Sequence, residues 1–437
     1  MFTYYLKLGW LSICRNPLLS ILMVAAIAIG IGASMSIITV NYVMSGNPIP
    51  HKSDQLFHVQ LDNWDPNNPG DDGFEPPDQM TYLDTMALMQ ANKAFRQVAS
   101  NRTGLVLEPE GADERPFSVD VRTTWSDFFP MFDLPFKYGS GWDDAADQNI
   151  EQVVVLSKDI NERVFGGEDS VGRSIRLSGM NYQVVGVLDE FWPVPKFYDV
   201  TNGAFNEPEE LYIPFNIGIE KNLPRNGNTN CWKPVDGDGP EAFRNSECVW
   251  IQMWVELRNE AEKQEYMAYL DAYVEQQKAL GRFPRPLNNR LNDVMEWLED
   301  REVVDDDAQV MLGLSLLFLV VCLLNTIGLL LAKFLGKSGE ISLRRALGAS
   351  RSSLFKQHMI ESGLIGLGGG IFGLGLTWLG LKGIEMLFGD YVENLVNLDW
   401  VMVLSAIALA ITSALLAGLY PTWRSCHIAP AGQLKTQ

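Results

Sequence analysis

Four stretches of this chain carry no charge, and they decide what it can fold into. From Asn16 to Pro50 there is no Asp, Glu, Lys or Arg, and the centre reads LLSILMVAAIAIGIGASMSIITV. Val310–Ala332, Ser362–Leu381 and Trp400–Tyr420 repeat the pattern. Each is about 20 residues or longer, the length a helix needs to cross a hydrocarbon core of roughly 30 Å. Buried helices of soluble proteins rarely stay uncharged for so long. The sequence predicts four membrane spans. The first apolar run is too long for a cleaved leader and reads as a retained anchor.

Basic residues near the span ends set the orientation. Lys7 and Arg15 precede the first span. Lys333, Lys337, Arg344, Arg345, Arg351 and Lys356 lie between the second and third, against the single acid Glu340. Arg424 and Lys435 follow the fourth. The expected topology places 1–17, 333–358 and 421–437 in the cytoplasm, with spans at 18–45, 308–332, 359–387 and 400–420. Residues 46–307 then form a large outer domain, and 388–399 a short outer loop with Asp390, Glu393 and Asp399. The outer domain holds 48 acids against 23 bases, a net charge of −25. That charge, with −20 for the whole chain, excludes a general nucleic-acid binder, which needs a basic face for phosphates.

The outer domain should be α+β. Short runs rich in β-formers occur at Val153–Leu156, Tyr182–Val187, Leu211–Phe215 and Val249–Leu257, the last with partial alternation suited to a half-buried strand. Helical patterns run over Asp78–Gln90, Asn259–Leu280 and Leu287–Leu298. Asp62–Asp78 reads as a long loop, and about 190–246, rich in Pro, Gly and Asn, as a loop-rich insertion. Cys231 and Cys248 are the only cysteines outside and form a candidate disulfide. Cys14, Cys322 and Cys426 lie in or beside the membrane.

Catalytic signatures are lacking. Gly336-Lys337-Ser338 resembles the end of a phosphate-binding loop, but Leu331 stands where its first Gly belongs, and a membrane helix precedes it. His51, His58, His358 and His427 have no metal-ligand spacing, and Asp305-Asp306-Asp307 reads as a boundary of the second span. Asn101-Arg102-Thr103 matches a glycosylation sequon. No enzyme activity and no bound metal or cofactor is expected for this chain.

The informative segment is the inner loop, KFLGKSGEISLRRALGASRSSLFKQHMIES. Ile341, Leu343, Ala346 and Leu347 can share an apolar patch, with Arg344 and Arg345 beside them, on a short amphipathic helix ended by Gly348. Such a helix either lies on membrane lipid or docks on a cytoplasmic partner.

The loop resembles the signature of FtsX/MacB-type permeases of the mechanotransmission class, through Gly339-Glu340-Ile341-Ser342-Leu343-Arg344-Arg345-Ala346-Leu347-Gly348-Ala349 and Ile360-Glu361-Ser362. That family usually has an Arg where Lys337 or Gly339 stands here. Pro421-Thr422-Trp423-Arg424 through Ile428-Ala429-Pro430-Ala431 is similar to its closing segment. In the outer domain, Asp127-Phe128-Phe129, Val153–Ser157, Phe165–Gly172, Val184–Leu188 and Tyr212-Ile213-Pro214 resemble the MacB periplasmic core.

The resemblance implies a permease subunit of an ABC transporter in a bacterial inner membrane, with a second permease, identical or homologous, beside it. A cytoplasmic ATPase dimer would hold ATP and Mg and dock on Glu340–Ala349. Since MacB carries its ATPase ahead of the first span and only 17 residues precede Leu18 here, the ATPase is expected on a separate chain. The implied task is efflux of a periplasmic substrate, with a periplasmic adaptor and an outer-membrane channel as further partners. Lipoprotein extraction, regulation of a cell-wall hydrolase and an ATPase-free membrane sensor are the alternatives. The first span and Leu287–Asp300 would form a helical stalk carrying the outer domain, with Gly30, Gly32, Ala33, Gly313 and Gly328 allowing close approach of spans one and two. Spans three and four would brace. The absence of charge within the uncharged runs implies that substrate is handled outside the bilayer.

Overall fold

The computed structural model describes residues 2–68, 74–109, 115–304, 306–388 and 400–427. The chain divides into two compact units, one of Gly46–Val303 and one joining Met1–Ser45 to Val304–Gln437.

The second unit is helical. Phe2–Arg15 precedes four helices long and apolar enough to cross a membrane: Pro17–Met44, Asp306–Gly336, Arg351–Phe388 and Trp400–Cys426. Pro17 opens the first span where its missing N–H would have no helical partner anyway. The fourth helix continues through Pro421 to Cys426, past the end read from the sequence. The expected outer loop 388–399 lies outside the described residues apart from Phe388, and so does the tail beyond His427.

Small residues let the spans approach, because lipid offers no hydrophobic drive between helices and close packing must supply the cohesion. The third span is the hub. A Cβ on Gly369 would stand 2.5 Å from Ile27 Cγ2, and one on Gly366 would stand 2.5 Å from the Ala414 Cβ. Gly30 sits against Leu319 and Cys322 of the second span, as its proposed role in pairing spans one and two requires. Gly32 instead meets Leu376 of the third, Ala33 is exposed, and Gly313 and Gly328 have nothing within 4 Å.

The other unit carries eleven strands among the described residues. They are β1 (Leu56–Gln60), β2 (Met80–Thr81), β3 (Arg96–Glu108), β4 (Phe117–Thr124), β5 (Phe136–Gly139), β6 (Val153–Leu156), β7 (Ser174–Leu177), β8 (Met180–Leu188), β9 (Leu211–Pro214), β10 (Val249–Glu256) and β11 (Arg290–Asp293). Their order is β11-β1-β10-β3-β4-β9-β6-β8-β5, with β2 on β10 and β7 bridging β3 and β8. The β4–β9 and β6–β8 pairs are parallel. The long β3 joins two halves: Arg96–Ser100 pairs with β10 and Asn101–Leu107 with β4.

One core packs Phe128, Phe129, Phe132, Trp254 and Trp297 together. Another gathers Val121, Val154, Leu156, Tyr182 and Ile213 around the parallel pairs. A third holds the helix Glu260–Ala279 on the sheet through Tyr266, Leu270 and Val274. That helix starts where Asn259 Oδ1 accepts from the Glu262 N–H.

Three expectations are corrected here. The helix over Asp78–Gln90 is shorter, Tyr82–Ala91, because Met80–Thr81 pairs with β10. Residues Leu287–Leu298 are not one helix: β11 pairs with β1, and a capping box between Asp293 and Glu296 then starts a short helix at Val294. That helix buries Val294 and Trp297 in the first core, and the first span ends at Met44. Strand β10 is buried along its full length rather than half-buried. The insertion at 190–246 holds the expected strand over Leu211–Phe215 as β9, which lies between β4 and β6, and the short helices Phe215–Glu220 and Gly239–Arg244. Cys231 and Cys248 are joined in a disulfide across it.

Candidate functional site

The inner loop folds as the short helix Ser338–Ala346, and Gly348 ends it in the left-handed region at φ +98°, where a side chain would be strained. Ile341 turns inward and packs with Leu354 and Cys426, joining this helix to the start of the third span and the end of the fourth. Arg344 pairs with Glu340 one turn back and donates to Gln357 Oε1 at 3.2 Å. Arg345 reaches the Cys426 carbonyl at 3.4 Å. Leu343 and Leu347, four residues apart, are 54% and 80% exposed. Of the sequence-designated set, Ile341 is therefore an anchor, while Leu343 and Leu347 present an apolar edge beside the half-buried Arg344. Ala346 and Ala349 lie at the end of the helix and just after it.

Beneath this helix sits a cluster that sequence reasoning missed. Lys333 and Glu361 flank the uncharged runs, and both helices continue over them and bury them completely. The Lys333 Nζ lies 2.8 Å from Glu361 Oε1 and donates to Ser20 Oγ at 3.1 Å. Ser12 of the first helix donates to the same carboxylate, and Lys337 donates to Ser12. His358 Nδ1 stands 3.5 Å from Glu361 Oε2. One carboxylate thereby ties together the first helix, the second span, the start of the inner helix and the third span. A small cavity of about 70 Å³ lies between this cluster and the helix, lined by Arg15, Lys337, Glu340, Arg344, His358 and Glu361. The available signal was a lone Lys and a lone Glu at opposite edges of two apolar runs. A buried charge needs a partner.

Among the described residues, no group of three or more His, Cys, Asp or Glu side chains could hold a metal ion. The arrangement combines an exposed apolar edge with a buried ion pair shared among the spans.

The comparisons agree with this layout. The model of the MacB-like periplasmic core domain matches residues 20–273, and that of the FtsX-like permease C-terminal matches residues 312–430. The chain is 20% identical over 437 residues to the macrolide export ATP-binding/permease protein MacB of Wolinella succinogenes, covering 99% of this chain and 60% of that protein. It is 23% identical over 312 residues to the pyoverdine export ATP-binding/permease protein PvdT of Pseudomonas syringae, covering 71% of this chain and 42% of that one. The chain thus spans about half the length of the curated relatives it matches. The crystal structure of the periplasmic region of MacB from Actinobacillus actinomycetemcomitans aligns with 58% of this chain and 95% of that one, at 13% identity and a TM-score of 0.37. With both family models matched in order over most of its length, the chain belongs to the MacB/FtsX-type permeases.

Proposed function

We propose that this chain is the permease subunit of an ABC exporter in a bacterial inner membrane, with both termini and the inner helix in the cytoplasm. An ATPase dimer, carrying ATP and Mg, docks on the helix Ser338–Ala346. Closure of that dimer shifts the helix, and with it the spans tied to Glu361, and so drives Gly46–Val303 outside the membrane. Two permeases work side by side, identical or homologous, and an adaptor with an outer-membrane channel receives the substrate. The names of the relatives, which join ATP binding to export, support the direction of transport.

The observation that carries the reading is the exposed pair Leu343 and Leu347 on a helix anchored from behind by Ile341. Exposed leucines cost nothing singly, but a paired apolar edge on a short charged helix fits a partner's groove. The test replaces both with Glu in the intact membrane protein and measures the ATPase that co-purifies with the wild-type chain. Association and stimulated turnover should fall at least tenfold while the outer unit keeps its melting temperature. Full association in the double variant, or no ATPase with the wild type, overturns the proposal.

A further inference from the structure

The outer unit contains a cavity of about 250 Å³ beside β3, β4 and β10, near the small end of ligand pockets. Its walls include Thr103, Leu223, Arg225, Pro240, Phe243 and Trp250. Two of its fourteen lining residues are arginines and none is Asp or Glu, although residues 46–307 carry a net charge of −25. Most basic side chains in the described part of this unit pair with a carboxylate. Arg225 does not: its guanidinium lies 3.8 Å from the Phe243 ring centroid and 5.5 Å from that of Trp250, with no ion pair among the described residues. Arg244 is held in place, donating to the Ile219 carbonyl at 3.2 Å and to Asn222 Oδ1 at 3.1 Å.

Two further groups point to a ligand. Thr103 and Trp250 are 1% and 4% exposed, and neither Thr103 Oγ1 nor Trp250 Nε1 has a hydrogen-bond partner among the described residues. A buried donor without an acceptor is costly. The wall formed by Gly239–Arg244 belongs to the loop that the Cys231–Cys248 disulfide closes, so the cavity is covalently framed.

We propose that this cavity binds a small organic carboxylate with an apolar body. Its carboxylate pairs with Arg225, its acceptor atoms serve the indole N–H and the threonine hydroxyl, and its body lies against Phe243, Leu223 and Pro240. Stacking on Phe243 and Trp250 holds the guanidinium ready, so little side-chain freedom is lost on binding. This site is independent of ATPase docking, and its test leaves the inner helix untouched.

The probes are 3-phenylpropionate and its uncharged analogue 3-phenylpropionamide, titrated calorimetrically into the intact chain in detergent. The acid should bind saturably and at least tenfold more tightly than the amide. Arg225→Gln should bring the acid down to the affinity of the amide, and Phe243→Ala should weaken both probes, with the melting temperature of each variant unchanged. Absent saturable binding of 3-phenylpropionate, equal affinity for the two probes, or undiminished binding in either variant would overturn the assignment.

Discussion

The two units bury charge in different ways. In Gly46–Val303 the guanidinium of Arg122 is fully buried and donates to both oxygens of Glu209, to Ser100 Oγ at 3.0 Å and to Asp199. Lys196 adds a contact to Glu209 at 3.3 Å, and Gln252 and Asn202 serve the other oxygen of Asp199. Burial alone would raise the Glu209 pKa, but Arg122 and Lys196 outweigh it and hold the carboxyl well below its ordinary range. Both oxygens of each acid are satisfied. In the helical unit, by contrast, Glu361 has Lys333 and Ser12 on one oxygen, while the other, among the described residues, has no hydrogen bond and has His358 3.5 Å away. A saturated knot resists rearrangement, because every alternative loses a partner. A half-satisfied one can change partners at lower cost, which suits the place where the inner helix meets the spans.

Removing a buried charge should have the largest effect. Arg122→Met leaves Glu209 and Asp199 short of a cation, and should destabilise the outer unit by about 3–5 kcal/mol. Glu361→Gln leaves Lys333 buried without its carboxylate and belongs to the same class, but its cost should be smaller, because one oxygen was already unpaired. Thermal unfolding of each variant in detergent, followed by fluorescence, measures both. A greater loss for Glu361→Gln would reverse the ranking.

Packing sharpens the contrast next. Gly369→Val would drive a side chain into Ile27 and should cost the helical unit about 3 kcal/mol. Gly313→Ala, at a position open to its surroundings, should change stability by less than about 0.5 kcal/mol. Crosslinking between cysteines placed on the first and third spans reports the loss of contact. Equal behaviour of the two variants would remove the third span from its role as hub.

A further effect is pH-dependent and confined to the outer unit. His58 stacks on Trp297 at 3.8 Å, and burial, followed by the nearby charge of Arg301, lowers its pKa to about 3. The unfolded chain takes a proton near pH 6.5 while the folded one stays neutral. Stability is therefore full above pH 6.5 and falls as pH drops toward 3. At pH 5 this amounts to about 2 kcal/mol relative to pH 7.5. His58→Phe should remove that part of the acid sensitivity, read as the difference between variant and wild-type melting curves at the two pH values. Parallel curves would show that His58 is protonated in the fold.

Much of the architecture was legible in the chain. The four apolar runs dictate spans because lipid leaves a backbone no other hydrogen-bonding solution. Val153–Leu156 is the strand β6 that its branched residues predict, and the helical pattern over Asn259–Leu280 is the helix Glu260–Ala279. Errors fell where local pattern met a distant partner. The apolar spacing of Leu287, Leu291, Val294 and Leu298 reads as one helical face, yet β1 offers backbone partners that split it into strand and helix. The partial alternation of Val249–Leu257 suggests one wet face, yet neighbouring elements bury the whole strand.

The spans, the acidic outer unit and the amphipathic inner helix follow from local composition, because each depends on the solvent its own residues can tolerate. Which glycine meets which helix, which oxygen of Glu361 finds Lys333, and why Arg225 rests on aromatic rings without a carboxylate were decided only by the tertiary structure. Those contacts join residues tens to hundreds of positions apart, and no local periodicity encodes which of many chemically similar partners will meet.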